Sequence, residues 1–125
     1  MKKVMILTAA VVMAGSLSIA YGANTEKGKA LFESPKLGNG TTGKSCLTCH
    51  PGGKKLGSDL FERKQLTIMG MEKENIAGMV NTCIEKPLGG TAIDPQGEEM
   101  QDLIAYMKTL VAKQGKAKAK KVEGC

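Results

Sequence analysis

The segment from residue 46 to residue 50 places the strongest constraint on how this chain folds. It reads Cys-Leu-Thr-Cys-His and holds two of the four cysteines together with the only histidine. Two thiols three positions apart lie on one side of a single helical turn, and the imidazole follows directly. The chain has no tryptophan and only two phenylalanines, so it has few large aromatic side chains to fill a core. A stable core therefore calls for a large apolar group held at this segment.

This spacing predicts the covalent attachment of one haem c. The sulfurs of Cys46 and Cys49 can form two thioether bonds at one edge of the porphyrin, and His50 then becomes the proximal iron ligand. Two other uses of the motif are weaker. A thioredoxin-like redox pair requires a βαβ context that the sequence lacks. A tetrahedral zinc site could draw its four ligands from Cys46, Cys49, His50 and Cys83. It is disfavoured because an adjacent Cys and His rarely chelate one ion well.

The N-terminal residues have the order of a secretory signal peptide. Two lysines precede an apolar run, and small residues follow it. We predict that residues 1–23 are removed, with cleavage after Ala20, Gly22 or Ala23. The apolar run is shorter than the about 20 residues of a membrane span, so no span is expected in the mature chain. Haem attachment of this kind takes place outside the bacterial cytoplasmic membrane, which agrees with a periplasmic location.

The net charge of +6 is concentrated at the two ends of the chain. Residues 24–112 contain 11 basic and 11 acidic residues, which argues against a nucleic-acid-binding domain. The segment 113–125 carries five lysines and one glutamate. Such a tail is usually a solvated helix end or a disordered segment, and it can also steer the protein toward an acidic redox partner.

Apolar residues recur at helical spacing in three segments. The residues from Thr25 to Glu33 predict a first helix that Asn24 or Thr25 can cap. From Glu72 onward the apolar positions follow one buried helix face, and Pro87 ends this helix. The last helix begins near Gln96. We therefore predict a small all-α domain over residues 24–112, with three to four helices and long loops around one haem, and no strand pattern long enough to assign.

The chain resembles c-type cytochromes over most of its length after residue 23. The segments GKALF, CLTCH and LIAYMKTL are similar to that family's N-terminal helix, haem site and C-terminal helix. The resemblance implies that the terminal helices cross closely, with Gly28, Phe32 and Tyr106 at the contact. The family often has a proline some ten residues after the histidine. Here Pro51 follows His50 directly, so the sequence leaves open which group orients the imidazole.

The sixth iron ligand has several candidates. One histidine excludes a second imidazole ligand from the same chain, which leaves methionine, cysteine or an open position. Methionines at helical spacing are usually core residues. Among them, Met100 and Met79 are the first candidates for the iron ligand. The other methionines considered are Met69, Met71 and Met107. Cys83 is the alternative, unless it is a buried free thiol or forms a disulfide with Cys125.

The part of the chain that contains Cys83 has a narrower resemblance. The stretch VNTCIEKPLGG and the last helix are similar to the haem domains of thiosulfate dehydrogenase and of the A-subunit cytochrome of the sulfur-oxidising Sox system. In those proteins a cysteine at the position of Cys83 is the distal iron ligand, so the resemblance implies that role here. They usually carry a second haem and further basic catalytic residues, whereas this chain has one haem motif.

Two functions follow from these observations. The first is a periplasmic monohaem electron carrier that exchanges single electrons with redox partner proteins. The alternative is the haem subunit of an enzyme that oxidises thiosulfate or related sulfur compounds, with Cys83 as iron ligand and reactive thiolate and a second haem subunit as partner. A sensory or gas-binding cytochrome with an open sixth position is a third interpretation.

Overall fold

The computed structural model describes residues 22–122, with side chains described up to residue 117. Within this part of the chain there are four α-helices and one two-stranded sheet. The helices are α1 (Thr25–Glu33), α2 (Cys46–Cys49), α3 (Ile76–Glu85) and α4 (Glu98–Val122), and the strands are β1 (Leu66–Ile68) and β2 (Met71–Lys73). Most of the predicted signal segment and Cys125 lie outside the described residues.

The starts of α1 and α3 are determined by local capping. The Asn24 side chain accepts hydrogen bonds from the backbone N–H groups of Glu26 and Lys27, which confirms the predicted cap of α1. Asn75 caps α3 in the same way by accepting from the N–H of Gly78 at 2.8 Å. The third helix therefore begins at Ile76, later than the apolar pattern from Glu72 suggested, because Met71–Lys73 form a strand.

The small sheet is a feature that the predicted all-α architecture does not contain. Strands β1 and β2 pair antiparallel, with Leu66 opposite Lys73 and Ile68 opposite Met71. The connecting residues Met69 and Gly70 have φ angles of 50° and 75°, as in the type I′ turns that join tight hairpins. Three residues per strand are too few to produce a recognisable alternation of polar and apolar positions.

The terminal helices α1 and α4 pack closely, as the resemblance to c-type cytochromes implied. Gly28 is buried at the crossing, and the Phe32 and Tyr106 rings meet edge to face with their centroids 5.4 Å apart. Beside this contact the backbone N–H of Asn24 donates a 2.6 Å hydrogen bond to the buried carboxylate of Asp102. The absence of a side chain at Gly28 allows the two backbones to approach.

Helix α4 runs beyond the predicted domain boundary at residue 112. Its described part continues to Val122, so the start of the lysine-rich segment is helical. The Gln114 side chain donates a hydrogen bond to the backbone carbonyl of Gly53, in the loop after the CLTCH segment. The first turn of the lysine-rich segment thus contacts the loop that follows CLTCH. None of the helices within residues 22–122 is both long and apolar enough to cross a bilayer.

Candidate functional site

The CLTCH segment borders a cavity of about 340 Å³ between the helices and the hairpin. This volume lies in the range of pockets that hold small molecules and cofactors, roughly 300–1,000 Å³. Its walls are largely apolar. The aromatic and aliphatic side chains that line it include Phe32, Leu56, Ile68, Val80, Leu88 and Leu103.

Helix α2 brings both thiols of the motif to this cavity. Ser45 and Thr48 form a capping box, in which the backbone N–H of Ser45 donates to the Thr48 hydroxyl at 3.0 Å. The box fixes one short turn, and Cys46 and Cys49 at its two ends both line the cavity. The next residue, His50, also lines it. The three chemically active side chains of the predicted attachment site therefore face one space.

The His50 ring is held by a backbone group. Its Nδ1–H donates a hydrogen bond of 2.9 Å to the carbonyl oxygen of Lys54. This bond leaves the Nε2 lone pair available, as in most metal-binding histidines, whose second nitrogen is bonded to a carbonyl or carboxylate. The loop that presents the carbonyl contains left-handed residues at Gly52, Gly53 and Lys55. The orientation of His50, left open by the sequence, thus comes from Lys54.

Sequence reasoning missed this orienting group for a physical reason. Every residue carries a backbone carbonyl, so no residue type marks the one that accepts from an imidazole. The paired glycines at positions 52 and 53 were the available signal, because they allow the left-handed turn that returns the chain beneath the ring. The Gln114 contact to Gly53 then fixes the same loop from α4.

A third thiol faces the cavity from helix α3. Cys83 lines the same space as Cys46, Cys49 and His50. Burial raises the pKa of Cys83, and the nearby charge of Cys49 adds to this rise. Burial, followed by the charge of Cys83, raises the pKa of Cys46 to about 11. Both groups are therefore neutral thiols at pH 7 in the ligand-free chain, and Cys83 needs a bound cation to become a thiolate.

The methionines considered as iron ligands occupy different places. Met79 lines the cavity, as do Met107 and the half-exposed Met69 at the tip of the hairpin. Met100 is fully buried, and it is not among the residues that line the cavity. Of the predicted distal candidates, the structure thus brings Cys83, Met79, Met107 and Met69 to the same space as His50.

The side chains around the cavity suit a haem better than a zinc ion. A haem needs apolar walls, two thiols at one edge and axial donors, and residues of each kind line this space. A zinc site needs three or four ligands gathered around one point. Among the described residues, no three His, Cys, Asp or Glu side chains are grouped closely enough to hold a metal ion.

The chain was compared with three kinds of known protein data. Neither protein-family models, nor curated protein sequences, nor solved structures gave a significant match to the chain.

Proposed function

We propose that this protein is a monohaem c-type cytochrome that transfers single electrons between redox partner proteins in the periplasm. The observation that carries the proposal is the joint presence of Cys46, Cys49 and His50 at one apolar cavity, with His50 held by the Lys54 carbonyl. The resemblance of GKALF and LIAYMKTL to the terminal helices of that family supports it further. A four-helix domain with a small hairpin is the scaffold.

Each group in the site has a defined role in this proposal. Cys46 and Cys49 hold the porphyrin through thioether bonds, and Nε2 of His50 binds the iron. The apolar walls exclude water, which favours the less charged, ferrous state and limits reorganisation during electron transfer. When bound, the haem supplies a one-electron couple. The chain's own contribution is burial, ligation and orientation.

The lysine-rich end of α4 is the surface that we assign to partner attraction. Lys113 and Lys116 are exposed on this helix, and further lysines follow in the sequence. Local positive charge raises the rate of encounter with an acidic partner, and the effect falls as salt screens it. Export by the predicted signal peptide would place the protein among such periplasmic partners.

The proposal is tested by the covalent attachment itself. The chain is produced with its own signal peptide in a bacterium that attaches haem c, and haem is measured on the denatured protein. We expect the haem to stay with the wild-type chain and to be lost from Cys46→Ala/Cys49→Ala, because no thioether can form. Cys83→Ala is the matched control and should keep its haem. An exported wild-type chain without covalent haem would refute the proposal.

A second function is favoured by the position of Cys83. A thiolate ligand in the same space as His50 would place a sulfur nucleophile at the haem, where an incoming sulfur compound can meet it. The high pKa of the free thiol means that the iron has to supply the activation. We propose this sulfur-oxidising role as the alternative, with a second haem subunit completing the enzyme.

Thiosulfate reduction of the haem distinguishes the two functions. The loaded wild-type protein and Cys83→Ala are mixed with thiosulfate, with and without candidate haem partners, and the ferrous spectrum is followed. Reduction that depends on Cys83 supports the sulfur role. Equal rates in the two proteins, or no reduction in either, would leave the electron carrier as the function.

A further inference from the structure

The charged side chains around the cavity are all of one sign. Lys55 and Arg63 line it, and no aspartate or glutamate does so among the residues that the structure describes. The remaining lining is apolar, sulfur-containing or neutral polar, apart from His50. A ligand that fills this space therefore meets apolar walls and two cations.

Both cations come from the loop that follows the CLTCH segment. Lys55 has a φ of 65°, a left-handed conformation that is uncommon for residues other than glycine. Its ammonium group forms no ion pair within the described part of the chain. Lys55 is an exposed residue that also lines the cavity, so an anionic group on a bound ligand would give its ammonium a partner.

The Arg63 side chain is held by an acidic residue of the same loop. Its Nε and Nη2 donate to the two carboxylate oxygens of Asp59, at 3.1 and 2.7 Å. The guanidinium packs over Gly57, where an added Cβ would lie 2.5 Å from Nη2. The two bonds to Asp59 use part of the guanidinium fork, and its other N–H groups can still donate to an anion.

We propose that Lys55 and Arg63 form a cationic rim that binds the two propionate carboxylates of the haem. This inference rests on the proposed function, because the carboxylates belong to the same haem that Cys46 and Cys49 hold. A macrocycle buried among apolar walls brings two carboxylates to the edge of its pocket, and these require partners or water. Charge-assisted hydrogen bonds from a lysine and an arginine meet that requirement.

The test compares charged and uncharged forms of the ligand. In the full chain carrying Cys46→Ala/Cys49→Ala no thioether can form, so any affinity for haemin and haemin dimethyl ester is reversible and is measured by absorbance titration. Lys55→Met and Arg63→Met are made in this background. Their matched controls are Lys36→Met and Lys64→Met, which remove exposed cations outside the cavity lining.

We expect each rim variant to weaken haemin binding about tenfold, the effect of losing roughly 1.4 kcal/mol of charge pairing. Binding of the ester should not change, and the two control variants should bind both ligands as the parent does. High salt should reduce the preference for haemin over the ester. Arg63→Lys, which keeps a positive charge, should recover part of the loss.

Other outcomes would contradict the proposed role of Lys55 and Arg63. Equal binding of haemin and its ester in every variant would mean that the cavity holds the macrocycle without using these cations. A loss confined to one of the two positions would exclude a two-cation rim. A third outcome would assign the cations to a free anion instead. The parent would then show no preference for haemin over its ester, and the loaded wild-type protein would bind sulfate or thiosulfate in a way that Lys55→Met abolishes. A parent that binds neither haemin nor the ester would also overturn the rim, because the two cations would then contribute no measurable affinity. The proposed function is refuted separately, by an exported wild-type chain without covalent haem.

Discussion

Gly28→Ala is expected to lower the free energy of unfolding by about 3 kcal/mol, or to prevent folding altogether. An added Cβ would lie 2.0 Å from the carbonyl oxygen of Asp102 and 2.9 Å from Cβ of Tyr106. The first of these atoms is backbone inside α4 and cannot rotate away, so the two helices have to separate. Separation also disturbs the Phe32–Tyr106 ring contact and the hydrogen bond between Asn24 and Asp102.

The matched control is Gly78→Ala in helix α3. There the nearest atom to an added Cβ is 3.5 Å away, which is ordinary contact. Alanine favours the helix over glycine by up to about 1 kcal/mol, so this variant should be as stable as the wild type or more stable. Urea denaturation followed by circular dichroism measures both variants. Similar stabilities for the two would show that α1 and α4 do not pack as closely as the structure places them.

Cys83→Met is expected to raise the reduction potential of the loaded protein by a few tenths of a volt, within the span of roughly 0.8 V that axial ligands control. A thiolate stabilises ferric iron, whereas a neutral thioether stabilises ferrous iron. The substitution keeps a sulfur donor at the same position on α3, so the change in charge is the main difference. Spectroelectrochemical titration gives the potential directly.

Two methionine variants serve as controls for this result. Met100→Leu should leave the potential and the ferric spectrum unchanged, since Met100 lies in the core away from the cavity lining. Met79→Leu should also leave them unchanged if Cys83 is the ligand. The opposite pattern, with no effect of Cys83→Met and a large fall in potential for Met79→Leu, would assign the distal position to Met79.

Local features of the chain were predictable from the sequence because each depends on neighbours only a few residues away. The Asn24 cap, the span of α1 and the end of α3 before Pro87 follow from side-chain capping, helical spacing and the missing N–H of proline. The placing of Cys46, Cys49 and His50 on one turn follows in the same way. The hairpin escaped prediction, since three-residue strands carry too little pattern to distinguish from a loop.

By itself the sequence determined the CLTCH motif, most of the helices and the low aromatic content of the core. The tertiary structure alone decided which sulfur atoms share a space with His50, because helical spacing identifies an apolar face without saying what it packs against. Met100 and Met79 show the same periodicity, yet one is sealed in the core and the other lines the cavity. The Lys54 carbonyl beneath His50 and the two cations of the rim likewise depend on how the loop after residue 50 folds back.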